Sequence, residues 1–297
     1  MRHALGLPLL DATFETWARH FCFELEPVFM DATLAAKLEP HALVMTRAEF
    51  EYWLRSQPLE YKDAYQPWSV SADFVALLTP AEFVLLEPNL RLELNAAQVR
   101  YKRGLTFPLE LARGFGVQAQ FLERDATEDS FLLRRDAWDA LPNSAQFDWL
   151  AWYVSQDAPS DASSSLINHP ALTWIGWLPH SGANCFATAL SYSQPNLARA
   201  QSIAQLWLPS ETLTRELGAR GFVEQPFEHL LEPGWILAWR NSSGALAHAC
   251  IGITHNLVLN KDSQAWYSPR QILELDTILE RWSDVAPLPT VFTPISR

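Results

Sequence analysis

Cysteine is scarce in this 297-residue sequence: Cys22, Cys185 and Cys250 are the three, and no two form a C-x-x-C pair. An odd number of widely spaced thiols argues against a disulfide framework and for a reducing compartment, so a cytoplasmic location is expected. Positive charge is also short, with 22 Lys and Arg against 34 Asp and Glu, a formal net charge of -12. Neither half of the chain has a basic excess, which leaves no surface suited to a phosphate backbone, and no nucleic-acid partner is expected. No apolar run approaches the roughly 20 residues that a bilayer-crossing helix needs, and no membrane partner is expected. The start, MRHALGLPLLDA, has a seven-residue apolar run that Asp11 interrupts. An export signal is therefore not expected.

What is present is a composition of 48% hydrophobic and 19% charged residues, that of an ordered globular chain. Its length exceeds what one hydrophobic core usually supports, so two domains are expected. Turn-forming and small polar residues concentrate in SQDAPSDASSS, residues 155–165. That run predicts a mixed α/β domain of unread role over 1–155, a linker over 156–166 and a second domain over 167–297. In the first domain MTRAEFEYWL predicts a helix capped by Thr46 and Glu49, with Phe50, Trp53 and Leu54 on one face. LTPAEFVLLEP repeats the signal with Thr79 and Glu82, and with Pro80 at the first helical position. NLRLEL alternates Leu90, Leu92 and Leu94 with charged residues and predicts a half-buried strand. Pro142 to Val154 predicts a helix capped at Asn143 or Ser144, with Phe147, Leu150, Ala151 and Val154 on one face.

In the second domain, HSGANCFATALSY (180–192) places Cys185 at the start of an apolar helix running to about Tyr192. Unpaired N–H groups and a partial positive charge at a helix start favour a thiolate there. Further helices are expected around Leu197 to Leu208 and from Ser210 to Gly218 or Gly221. Short apolar runs then predict strands: PGWILAW, ALAHACIGI and LVLNK. Simple alternation puts Leu246, His248, Cys250 and Gly252 on one face and Ala247, Ala249, Ile251 and Ile253 on the other. A three-residue turn, Thr254 to Asn256, pairs Ile253 with Leu257 and Cys250 with Asn260. Asn260 then lies diagonal to His248 on the same face, whereas a two- or four-residue loop sends it to the opposite face. A cysteine nucleophile needs a base, and the base needs an acceptor on its far nitrogen. Cys185, His248 and Asn260 are of the right types for these roles. Cys250 reads as core.

The order of a cysteine, a histidine on a strand after a PG turn (PGW, 233–235) and a polar residue twelve positions on resembles the papain-like NlpC/P60 superfamily. NCFATAL (184–190) and AHACIGITHNLVLNKDSQAW (247–266) carry the resemblance, which covers roughly residues 165 to 285, the scale of one domain. Asn184-Cys185-Phe186-Ala187 stands where the family has Asp-Cys-Ser/Thr-Gly, and Trp235 stands where its Asp follows PG. The resemblance implies an α+β fold, with helices packed on an antiparallel sheet in the C-terminal domain and a mixed α/β domain before it. It also implies a bacterial cysteine peptidase or amidase that cleaves an amide bond through an acyl-enzyme. The substrate would be a peptide or a small amide-containing molecule, with a cell-wall-derived peptide the family's common one. Cys185 would be nucleophile, His248 general base and then acid, and Asn260 the orienting residue. The Cys185 N–H is one candidate oxyanion donor, His180 and Asn184 are candidates for the second, and Trp266 is a candidate shield for the His–Asn hydrogen bond. No cofactor is expected. His169, His180, Cys185 and His248 match no compact zinc motif, so no metal is expected either. Two other readings stay open: a thiol acyltransferase, in which an amine or alcohol resolves the acyl-enzyme, and a catalytically inactive papain-like binding or scaffold protein. Oligomeric state is not legible.

Overall fold

The computed structural model describes residues 2–156, 158–228, 230–286 and 288–295. The chain divides into two compact units: Glu15–Trp152, and Met1–Phe14 together with Tyr153–Arg297. Both combine helices with antiparallel sheets, as an α+β fold requires. The first fourteen residues therefore group with the C-terminal unit and not with the domain expected over 1–155. Among the described residues no helix is long and apolar enough to cross a membrane.

The unit Glu15–Trp152 contains a three-stranded sheet in the order Glu26–Met30, Phe74–Leu78, Val44–Thr46. Both capping boxes form, Thr46 with Glu49 on helix Arg47–Leu54 and Thr79 with Glu82 on helix Pro80–Leu85. The helix expected from Pro142 is Asn143–Ser155, with Leu150 and Val154 buried. NLRLEL is not a strand; it lies inside helix Pro88–Arg100. Leu90, Leu94 and Ala97 recur at helical spacing and join the core, while Leu92 is 54% exposed. Gln98 of this helix accepts from the Phe29 N–H at 2.8 Å and donates to the Phe29 carbonyl at 2.9 Å, acting as a partner for that strand. Glu26 is fully buried and accepts from Arg134 Nη1 at 3.0 Å and from Arg103 Nη2 at 3.2 Å.

The C-terminal unit is organised by a six-stranded antiparallel sheet. Its order is Gln271–Glu274, Leu257–Asn260, Leu246–Gly252, Ile236–Arg240, Thr290–Pro294, Phe222–Pro226. Apolar side chains leave both faces. Ile236, Ala238, Ala249, Ile251, Leu259, Ile272 and Phe292 pack with helices Cys185–Tyr192 and Ser210–Ala219. Leu237, Trp239, Cys250, Val258, Leu273 and Val291 pack with helix Leu275–Arg281. The helix expected to reach Leu208 ends at Ala204.

Two sequence expectations change here. The run read as a linker over 156–166 is docked on the sheet edge, apart from Asp157, which lies outside the described residues. Asp161 Oδ2 accepts from the Ile272 N–H at 3.0 Å, the Ala162 N–H donates to the Ile272 carbonyl at 2.7 Å, and Gln271 Nε2 donates to the Pro159 carbonyl at 3.1 Å. An edge strand presents unpaired backbone groups, and this segment occupies them. Leu246 also departs from the expected face. Its partner is Arg240 while His248 pairs with Trp239, so a bulge at Ala247 inserts one residue and returns Leu246 to the side of Ala249 and Ile251.

The turn Glu232–Trp235 fixes the far end of the His248 strand. The Gly234 N–H donates to the Gly252 carbonyl, and the Gly252 N–H to the Trp235 carbonyl, both at 2.8 Å. A Cβ on Gly252 would lie 2.7 Å from the Glu232 carbonyl oxygen. The Gly252→Ala variant is expected to lose about 1–3 kcal/mol of stability by overpacking. Urea unfolding measures it, and an unchanged midpoint would show that the turn yields freely.

Candidate functional site

The helix Cys185–Tyr192 begins where the sequence places it, and Asn184 is its cap. Asn184 Oδ1 accepts from the Ala187 N–H at 3.0 Å and from the Leu208 N–H at 3.3 Å, while its Nδ2 donates to the Leu208 carbonyl at 2.8 Å. These bonds give Asn184 a structural part in starting the helix and fastening the segment at Leu208. The cap takes the N–H of Ala187, the third helical residue, and leaves those of Cys185 and Phe186 free to face the Cys185 sulfur, where the N–H of Ala249 joins them. Cys185 is 7% exposed. Burial pushes its pKa up to about 11, against the pull of those three N–H groups and of the Lys261 charge.

His248 is fully buried on the neighbouring strand. Ile251 pairs with Leu259 and Gly252 with Val258, the register of a three-residue turn, and the Ile253 N–H donates to the Leu257 carbonyl at 2.8 Å. Asn260 accordingly shares the face of His248, with its Oδ1 2.8 Å from His248 Nε2. Asn260 Nδ2 donates to Asp262 Oδ1 at 2.8 Å, and Asp262 Oδ2 accepts from Arg281 Nε at 2.8 Å. An amide that donates to Asp262 turns its oxygen to the imidazole, so Nε2 carries the hydrogen and Nδ1 is a bare acceptor. That Nδ1 is buried and has no hydrogen-bond partner. The ring stacks on Trp282, centroids 3.9 Å apart and planes 8° apart, with Trp239 at 5.5 Å. Burial lowers the His248 pKa to about 4; Asp262 and the Asn260 hydrogen bond oppose it.

The structure thus brings His248 and Asn260 together and leaves Cys185 hydrogen-bonded to neither. Cys185 packs among the residues on the helix side of the sheet, whereas the rings around His248 belong to the opposite cluster. The nearest link along the chain is Ala249, whose N–H faces the thiol one residue from His248. His180 is exposed, in a loop tied to 264–266: the Gly182 N–H donates to the Gln264 carbonyl at 2.9 Å, and the Trp266 N–H to Ser181 Oγ at 3.0 Å. Trp266 packs on Tyr153 and Tyr267, and the ring that shields His248 is Trp282. Sequence reasoning missed Lys261, Asp262, Arg281 and Trp282. Lys261 is buried, with its ammonium donating to the Ala265 and Ser268 carbonyls. The run NKD was the available signal for Lys261 and Asp262, whereas nothing local marks Trp282. Burial raises the Cys250 thiol well above its ordinary value, as befits a core residue.

Comparison of the chain with family models, with curated proteins and with solved structures yields no match.

A histidine held near 4 in the folded state and at 6.5 when unfolded binds its proton first in the unfolded chain. Its contribution is whole above pH 6.5 and is lost as pH falls from about 6.5 to about 4, a loss of about 3 kcal/mol. Urea midpoints across that window are expected to fall more steeply for the native protein than for His248→Gln. Equal slopes would show that His248 is not held neutral.

Proposed function

We propose that the C-terminal unit is a papain-like domain of the NlpC/P60 type and works as a cysteine-dependent amide hydrolase. The observation that carries this reading is the His248 imidazole, with Nε2 spent on Asn260 and a buried Nδ1 acceptor left without a donor. A buried acceptor without a partner costs about 1–3 kcal/mol. In a hydrolase that nitrogen, once a movement brings it into contact with the sulfur, takes the proton of Cys185 as the sulfur attacks the substrate carbonyl. The imidazolium then protonates the leaving amine as the C–N bond breaks. Water, deprotonated at Nδ1, attacks the thioester and restores the thiol. The N–H groups of Cys185 and Phe186 are the oxyanion donors in this scheme. A peptide or small amide is the substrate class, and the reducing environment suggested by three free cysteines suits a thiol nucleophile.

A second reading rests on its own observation. Cys185 and His248 are both held neutral by burial, and no hydrogen bond joins them. A papain-like fold kept for binding without turnover accounts for that closed state directly.

p-Nitrophenyl acetate separates the two readings. The hydrolase reading expects a burst of nitrophenolate with acetylation mapped to Cys185, abolished in Cys185→Ala and slowed roughly a hundredfold in His248→Gln. Acetylation that spares Cys185, or that proceeds equally in His248→Gln, would give the binding reading the decision. An acetyl-Cys185 that passes to an added amine faster than to water would assign acyl transfer.

A further inference from the structure

We propose that the cavity around Arg270, in the same unit but outside the site described above, is a binding site for a small organic monocarboxylate. The cavity measures about 400 Å³, within the range of small-molecule sites, and is lined by Thr173, Trp174, Leu197, Gln201, Gln205 and Arg270. Arg270 is its buried wall, 6% exposed. The backbone of Arg270 is held by a two-way bridge to Gly176, with the Gly176 N–H donating at 2.9 Å and the Arg270 N–H at 3.0 Å.

The guanidinium has more donors than the protein uses. Nη2 donates to the Ala204 carbonyl at the end of helix Leu197–Ala204, a favourable place for a cation. That contact accounts for one of five N–H groups. Nε is buried with no partner, and among the described residues no carboxylate pairs with this side chain. A buried cation without a counter-charge is costly, and burial pulls the Arg270 pKa down to about 10. A helix cap alone would be served by any donor and does not call for a planar fork with most of its donors unspent.

The lining defines what fits. One positive charge matches one carboxylate, which a guanidinium edge receives through two parallel N–H bonds. The other polar groups, Thr173, Gln201 and Gln205, are neutral, so a phosphate dianion would bring a charge the cavity does not balance. Trp174 and Leu197 offer an apolar wall for the ligand's carbon body, as an acylated amino acid presents.

The test uses the full-length protein, with N-acetyl-leucine as probe and N-acetyl-leucinamide and inorganic phosphate as controls. Calorimetry gives affinities, and the Arg270 Nε–Hε resonance locates the site. N-acetyl-leucine is expected to bind and to shift that resonance, with the amide roughly tenfold or more weaker. Arg270→Gln is expected to weaken the acid roughly ten- to a hundredfold. Gln201→Trp, a change at the exposed rim that fills the cavity, is expected to abolish binding with an unchanged melting temperature. It keeps the test decisive if Arg270→Gln fails to fold. Acid and amide binding alike, phosphate competing at equal affinity, no binding up to roughly 10 mM, or Gln201→Trp binding normally would each overturn the proposal. Cys185→Ala is expected to bind the acid as the native protein does, so this outcome is independent of the proposed hydrolase.

Discussion

The parity of one hairpin governs the C-terminal unit. A sheet buried on both faces has little tolerance for register error, because a slip of one residue would exchange every side chain between its two cores. Two local features set the parity of the central pair. The turn at Thr254–Asn256 aligns Asn260 with the His248 face, and the bulge at Ala247 sends Leu246 to the helix side while keeping His248 against Trp239. A simple ladder through Ala247 would have left Leu246 on the crowded aromatic side. With the bulge, each face receives the side chains its own core can hold.

From that parity follows a polar chain with a gradient of exposure. His248 and Asn260 are buried, the Asp262 side chain is 19% exposed and that of Arg281 36%. Along this chain the formal charges, Asp262 and Arg281, sit at the wetter end and the two buried members are neutral, which spares the chain itself the cost of a buried ion. Orientation is passed inward along it. Arg281 positions Asp262, Asp262 turns the Asn260 amide, and the amide oxygen selects the Nε2–H tautomer of His248, three hydrogen bonds from Arg281. The unit Glu15–Trp152 handles buried polarity differently. It places three guanidiniums, Arg103, Arg124 and Arg134, against three carboxylates, Glu26, Asp125 and Asp136, so charge is compensated in place.

The features legible in the sequence are those set by neighbours along the chain. Capping boxes at Thr46 and Thr79 depend on a residue three positions away, and the hairpin register depends on the length of one turn. The features that were not legible depend on distant partners. Six residues of NLRLEL satisfy two periods at once, because Leu90 and Leu94 are both four apart and both even. Only Pro88 at the helix start and the burial of Ala97 decide between them. The polar run after Ser155 carries the composition of a linker, yet Asp161 and Ala162 fasten it to the edge at Ile272. Trp282 lies thirty-four positions beyond His248, so no spacing rule ties the two together. The papain-like resemblance named Cys185, His248 and Asn260; burial decides what state they rest in, and burial is a property of the whole core.

Burial also says where the hydrolase and the binding readings part. Burial holds the Cys185 thiol up at about 11 and the His248 imidazole down at about 4, so a proton passing from one to the other goes uphill in the closed site. Desolvation is the largest cause of both shifts, and it moves the two groups apart. Water or a polar substrate at the site would relieve the desolvation of both groups and so bring the two values closer together. The Lys261 charge and the three N–H groups facing the sulfur lower the thiol further once desolvation no longer outweighs them. Under the hydrolase reading proposed above, proton transfer needs both water or substrate at the strand near Ala249 and a movement that brings the Cys185 sulfur to the imidazole; under the binding reading neither is needed.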